Sequence, residues 1–443
     1  MHRLHRRNLC KKLQNGFLFS IGSEELSRNG SDVNFVFRQD SNFLYLTGVE
    51  EPGYAFILDL SRNYFHLFIP KVDAKHIVWL GHVPDLSESK KVFGADKVSY
   101  ITDLEIELKK ISKTKDLYFL KTNHEKGLKL CKKYFRIKPE EKKLHCALAE
   151  LRIKKSKEEI TLMKEAAEMT SLGHIEAMKK TRPGLYEYQI QSYLEQKFLE
   201  KGAQHCAYPS IVGAGKNAAI LHYHHNSSQL QKGDLLLIDA GAEVKGYASD
   251  VTRTFPISGK FTQKQKDMYD LVLKMQEECI QGVKPGVLFY DLHLLSARIL
   301  LKGLKDLGLL KGSVENMLRK GVDKLFYPHG LGHFLGLDVH DVVPPPVIAR
   351  SRATKQSRLR ASRKLEENNV ITIEPGVYFI PALLKDPNNR KKFKDFVHWS
   401  KVDPYLQFGG IRIEDDVVIT PKKPLILTHK CPKKVNDLEN IKN

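Results

Sequence analysis

The 443 residues of this chain exceed what a single hydrophobic core ordinarily holds, so two domains are expected. An apolar content of 42% and a mean hydropathy of -0.37, with no run of about 18 apolar residues, describe a soluble globular protein and exclude a membrane-spanning helix. The formal charge of +20, from 72 Lys+Arg against 52 Asp+Glu, is scattered over amphipathic helices and accompanies no nucleic-acid motif, so neither nucleic acid nor a membrane is expected as a partner.

The opening MHRLHRRNLCKKLQNG is basic and free of acids, as an organellar transit peptide is. It runs directly into an apolar strand candidate at 17–21, and is therefore read as a first helix. Further strand candidates at 54–60, 64–70 and 116–120 alternate with charged helical stretches, which predicts a small α/β domain over 1–150. Asn63, between two of these strands, marks a hairpin, and Arg38, Asp40, Trp79 and His82 are groups able to face a partner. Six cysteines stand far apart with no CxxC pair, so a reducing, cytoplasmic compartment is expected and a thiolate metal site is not.

A new unit over 151–443 is predicted by the capping-box spacing of Ser156 and Glu159, followed by a helix that ends before Arg182-Pro183-Gly184. A second helix over 186–201, a block of strands, and two more helices over 262–281 and 290–307 give the order helix, helix, strands, helix, helix, strands. That order hints at two related halves.

Within the strand block, the apolar run Leu235 to Ile238 ends in Asp239, and the chain returns past Lys245-Gly246 to Asp250. If the turn centres on Val244 and Lys245, the two acids stand opposite one another, a like-charge pair that calls for shared protons or a cation. In YPHGLGHFLGLDVHD, residues 327–341, three histidines (His329, His333, His340) sit among glycines that argue against a helical zinc motif. In VITIEPG, Thr372 and Glu374 share a strand face, and in GGIRIEDD so do Arg412 and Glu414. Asp239, Asp250, His333, Glu374 and Glu414 together form an oxygen-rich donor set with a charge of about -4, suited to two divalent ions and metal-assisted hydrolysis.

These motifs in this order, with ILHY at 220–223 and SDVTRTFP around Asp250, resemble the pita-bread metallopeptidases (family M24) over nearly the whole chain. The N-terminal FRQDSNFLYLTGVEEPG and the long insertion between Glu374 and Glu414 are similar to the Xaa-Pro dipeptidase (prolidase) branch. The resemblance implies an α+β protein: a C-terminal pita-bread catalytic domain, 151–443, behind a smaller non-catalytic N-terminal domain. It also implies a set of roles: metal ligation by Asp239, Asp250, His333, Glu374 and Glu414, with Glu374 also guiding a proton. His222 and His340 are then substrate-contacting and catalytic, Arg360 binds the C-terminal carboxylate of the dipeptide, and Arg412 fixes the ligand carboxylates from behind. The implied activity is hydrolysis of Xaa-Pro dipeptides by a homodimer holding two divalent ions, Mn²⁺ first, with Co²⁺, Fe²⁺ or Zn²⁺ as alternatives. Aminopeptidase P activity on longer Xaa-Pro peptides is the alternative, and a non-catalytic peptide-binding protein on the same fold a third. The chain departs from the family between His340 and Arg360, where HDVVPPPVIARSRATKQSRLR replaces a glycine-rich loop.

Overall fold

The alternating apolar stretches of the first unit build one sheet. In the computed structural model, which describes residues 1–30, 33–112, 117–122, 125–134, 141–344 and 363–441, the chain divides into units Met1–Arg152 and Ile153–Asn443. Strands β1 (Phe17–Ile21), β2 (Ala55–Asp59), β3 (Tyr64–Ile69), β4 (Lys97–Tyr100) and β5 (Leu117–Phe119) lie in the order β4-β3-β2-β1-β5. The first three form an antiparallel meander, and β4 and β5 join its edges in parallel. Asn63, at φ 51°, makes the β2–β3 turn, a backbone region that Asn tolerates better than most residues. The strand β4 has no counterpart among the expected elements, because KVSY is short and half polar and carries no period of its own.

Phe19, Ile57, Phe68 and Phe119 pack one face of this sheet against Leu104, Leu108 and Leu130. The basic N-terminal segment is a helix, His2–Leu13, that buries Arg6. The Arg6 guanidinium lies 3.9 Å above the Phe65 ring and donates to the carbonyls of Leu46 (2.7 Å) and Gly94 (2.9 Å), which satisfies a buried cation through carbonyls and a ring face. Asp40 caps the helix Ser41–Thr47 by accepting from the amides of Asn42 and Phe43.

The second unit has the alternation its sequence period predicts. Helices Lys157–Lys180 and Glu187–Glu200 precede one strand block, and Gln263–Gly282 and Phe289–Asp306 precede the other. Ser156 and Glu159 form the expected capping box. The strands are β6 (His205–Cys206), β7 (Ile211–Ala214), β8 (Leu235–Ala240), β9 (Ala242–Val244), β10 (Tyr247–Ala248), β11 (Val251–Pro256), β12 (Val370–Ile373), β13 (Gly376–Tyr378), β14 (Gly410–Arg412), β15 (Asp415–Val418) and β16 (Leu425–Ile426). They form the sheets β11-β8-β7, β12-β15-β16, β10-β9-β6 and β13-β14. Where β11 meets the second strand block, the Glu414 amide donates to Thr252 O (3.1 Å) and Thr254 Oγ1 donates to Arg412 O (3.0 Å), so the two halves of the unit share backbone. No helix among the described residues is long and apolar enough to cross a membrane.

Beneath β8, His174 is fully buried with Nε2 3.1 Å from Ala240 O, and burial lowers its pKa from 6.5 to about 4. The unfolded chain therefore takes up a proton near pH 6.5 that the native state refuses until about pH 4. Stability is lost as pH falls through that window, by about 3 kcal/mol at its foot. A His174→Gln protein, which keeps a donor toward Ala240 O, is expected to show a flatter loss of stability between pH 6.5 and 4 in urea unfolding. An unchanged slope would exclude His174 as its source.

Candidate metal centre

The hairpin that carries the first two acids turns on Lys245 (φ 47°) and Gly246 (φ 80°), the paired positive φ values that a two-residue primed turn requires. Val244 pairs with Tyr247, and the same register pairs Asp239 with Thr252. Asp250 is thus not directly across from Asp239, as a turn on Val244 and Lys245 requires; the register differs by two residues. A shift of two keeps both side chains on one face of the sheet, so the acids remain diagonal neighbours. Tyr208 bridges them, its hydroxyl donating to Asp239 Oδ1 at 2.6 Å and making a short hydrogen bond with Asp250 Oδ1.

The histidine stretch is extended and aligned with β12. Leu335 N donates to Val370 O, Thr372 N to His333 O and Glu374 N to Leu331 O. Glycine makes that approach possible: a Cβ at Gly332 would stand 2.0 Å from Thr372 O. His333 thereby faces Asp250 Oδ2 at 3.3 Å and Glu374 Oε1 at 3.4 Å. Glu414 arrives from the short link between β14 and β15, where Thr252 Oγ1 donates to its Oε2 at 2.7 Å. Donor atoms of Asp250, His333 and Glu414 all lie within 4.8 Å of one another, and all three residues are buried. Asp239 and Glu374 flank them through Tyr208 and His333 respectively.

The electrostatics of this cluster fit a cation. Burial, reinforced by the charges of Asp250, Glu374 and Asp239, drives Glu414 well above the usual carboxylate range. Burial likewise raises Glu374 to about 7 and lifts Asp239, against the opposing charge of Arg412. Burial opposes ionisation of Asp250 too, but the His333 hydrogen bond and charge hold it below its ordinary value. Two buried and two half-buried carboxylates that repel one another around one imidazole are chemically suited to a hard cation, and divalent ions would remove the penalty the acids impose on each other.

Behind these acids, Arg412 ties the cluster together. Its guanidinium donates to Asp239 Oδ2 (2.5 Å), Thr252 Oγ1 (3.0 Å) and Tyr378 Oη (2.8 Å). His329 stands in the same group, Nε2 2.9 Å from Tyr378 Oη and Nδ1 3.8 Å from Glu374. The His340 ring centroid is 4.2 Å from that of His333, and His340 is exposed. His222 is also exposed, stacked at 6.3 Å on His224, and its charge acts on His329. Arg360 lies outside the described residues. Sequence reasoning missed Tyr208, Thr252 and Tyr378, because a tyrosine in AYPSIVG or a threonine in SDVTRT has no spacing that separates a ligand-holding hydroxyl from an ordinary strand residue.

The family model "Metallopeptidase family M24" matches residues 161–421, and "Aminopeptidase P, N-terminal domain" matches residues 2–118. Among curated relatives, the Xaa-Pro dipeptidase of Homo sapiens is 34% identical over 455 aligned residues, spanning 98% of this chain and 92% of its own. A probable Xaa-Pro aminopeptidase of Sordaria macrospora is 35% identical over 437, spanning 96% and 91%. Among solved structures, zinc-substituted aminopeptidase P of E. coli in complex with product is similar at a TM-score of 0.86 and 32% identity, covering 100% of this chain and 97% of that one.

Proposed function

This chain belongs to metallopeptidase family M24 and is a metal-dependent hydrolase, and from that premise we propose that it cleaves Xaa-Pro dipeptides and releases proline. The observation that carries the reading is the buried cluster of mutually repelling acids around His333, within a chain similar to Xaa-Pro dipeptidases over nearly all of its length. In this reading Asp239, Asp250, His333, Glu374 and Glu414 hold two divalent ions, Mn²⁺ by preference, since the donors are hard oxygens with one imidazole. Such ions, when bound, supply Lewis-acid polarisation of the scissile carbonyl and an activated water.

The chain's own residues have the following parts. Glu374, which also neighbours His329 and accepts from Thr372 Oγ1, takes up the proton that the attacking water loses and passes it toward the departing proline nitrogen. His222 and His340 hold the substrate and donate to oxygen as negative charge develops on it. Tyr208 keeps Asp239 and Asp250 at a fixed separation, and Arg412 keeps Asp239 oriented. Arg360 receives the C-terminal carboxylate. The catalytic residues belong to a domain over 151–443, and 1–150 is non-catalytic. The protein is a cytoplasmic homodimer; six cysteines that form no disulfide support a reducing compartment.

Aminopeptidase P activity is the second reading, favoured by the similarity to the E. coli structure and to the fungal aminopeptidases. Proline release from Gly-Pro and glycine release from Gly-Pro-Leu, each with saturating Mn²⁺, separate the two. Turnover of the dipeptide is the expected result. Turnover of the tripeptide alone assigns aminopeptidase P, and no turnover of either by metal-loaded protein would sink both.

A further inference from the structure

The loop that carries His222 is held by a buried acid with no part in the metal cluster. Glu187 opens the helix Glu187–Glu200 and has no exposed surface. Its Oε1 accepts from the Ala214 amide at 2.8 Å and from Asn217 Nδ2 at 2.9 Å. Its Oε2 accepts from Tyr223 Oη at 2.8 Å and from the Ser228 amide at 2.8 Å. One carboxylate therefore grips the chain where it leaves β7, where it re-enters near Ser228, and at Tyr223, the residue beside His222. Asn217 Nδ2 closes the cluster by reaching Tyr223 Oη (3.1 Å) and Ser228 Oγ (2.9 Å).

We propose that Glu187 is a positioning residue for substrate, acting through Tyr223 to fix the loop that presents His222. The proposal rests on the reading of His222 as a substrate contact. Donor count explains why the residue is an acid. All four groups that meet the side chain donate to it, so an acceptor-only carboxylate satisfies each of them. An amide cannot. Whichever way Gln turns at this position, its NH₂ faces a backbone N–H, either that of Ala214 or that of Ser228, and one buried donor is left without an acceptor.

The test is a double-mutant cycle on the metal-loaded full chain, with kcat/KM read on whichever of Gly-Pro or Gly-Pro-Leu the protein turns over. Glu187→Gln is expected to lower kcat/KM about ten-fold with His222 present and less than about two-fold in the His222→Ala background. Metal content should stay at the reference value in every variant. Should Glu187→Gln fail to fold, Tyr223→Phe removes only the hydroxyl that links the acid to His222, and the same non-additivity is expected. Equal losses in both backgrounds would overturn the positioning role while leaving His222 as a substrate contact. A His222→Ala protein with unchanged kcat/KM would overturn the reading of His222 and the proposal with it. Amide hydrogen exchange supplies a readout that needs no turnover: residues 220–228 should exchange about ten-fold faster in Glu187→Gln or Tyr223→Phe, whereas unchanged protection overturns the proposal.

Discussion

An Asp250→Ala protein is expected to bind divalent metal more than about 100-fold more weakly than the unaltered chain, the upper range for loss of a partner that merely orients a ligand. Its hydrolytic activity should fall in parallel. The expectation follows from the position of Asp250 at the centre of the cluster. Its Oδ2 is 3.3 Å from His333, its Oδ1 shares the Tyr208 hydroxyl with Asp239, and its charge is among those that raise Glu414. Glu374 and Glu414 remain in the variant, but with one fewer acid the site no longer balances two dications. Metal analysis after dialysis against buffer without chelator, with near-UV circular dichroism as a check on folding, gives the measurement. Two ions per folded Asp250→Ala chain would remove Asp250 from the site. Asn at this position is the informative companion, since it keeps the hydrogen-bonding shape and discards the charge. If charge balance governs binding, Asn should lose metal nearly as fully as Ala.

How much of this site was legible in the sequence depended on how each residue is displayed. Glu374 and Glu414 could be read because Thr372 and Arg412, each between two isoleucines, mark the polar face of a short strand, and each acid two residues on continues that alternation. Asp239 was legible as an acid closing an apolar run. The hairpin register was not, because VKG supports a turn on either pair of residues, and the backbone chose the one in which Gly246 takes a positive φ. The small β4 and the hydroxyls of Tyr208, Thr252 and Tyr378 were invisible for another reason. Each owes its place to a partner distant in the chain, as when Thr252 Oγ1 meets Glu414 across 162 residues, and no local period reports such a pairing. Helix positions were the easiest part, since Ser156 with Glu159 announces its helix through a capping box.

Replacing Arg253 by Met is expected to cost the second unit about 3–5 kcal/mol, the range for breaking one side of a buried ion pair. Arg253 lies on β11 three residues after Asp250, and it is fully buried. Its Nη2 donates to Asp415 Oδ1 (2.7 Å) and Cys431 O (2.9 Å), its Nε to Pro432 O (3.0 Å), and its Nη1 to Thr252 O (2.9 Å) and Glu414 O (2.5 Å). Asp415, held well below the usual carboxylate range by Arg253 and Lys433 despite its burial, would lose the larger of its two cations. Lys433 and Thr428 still reach Asp415, so the loss should fall short of a fully orphaned charge. A Lys at position 253 keeps the charge but cannot span five acceptors, and should recover only part of the stability. The same guanidinium joins β11, which follows Asp250 directly, to the backbone of Glu414, so loosening it separates two of the proposed metal ligands as well as unfolding the chain more easily. Metal affinity is therefore expected to fall about 10–100-fold in Arg253→Met, as for other groups that orient ligands without touching the ion. Urea unfolding of the metal-free protein and metal titration of the folded one measure the two effects separately. A stability within about 1 kcal/mol of the reference would show that the tail from Thr428 to Lys433 holds β11 and β15 together without the arginine.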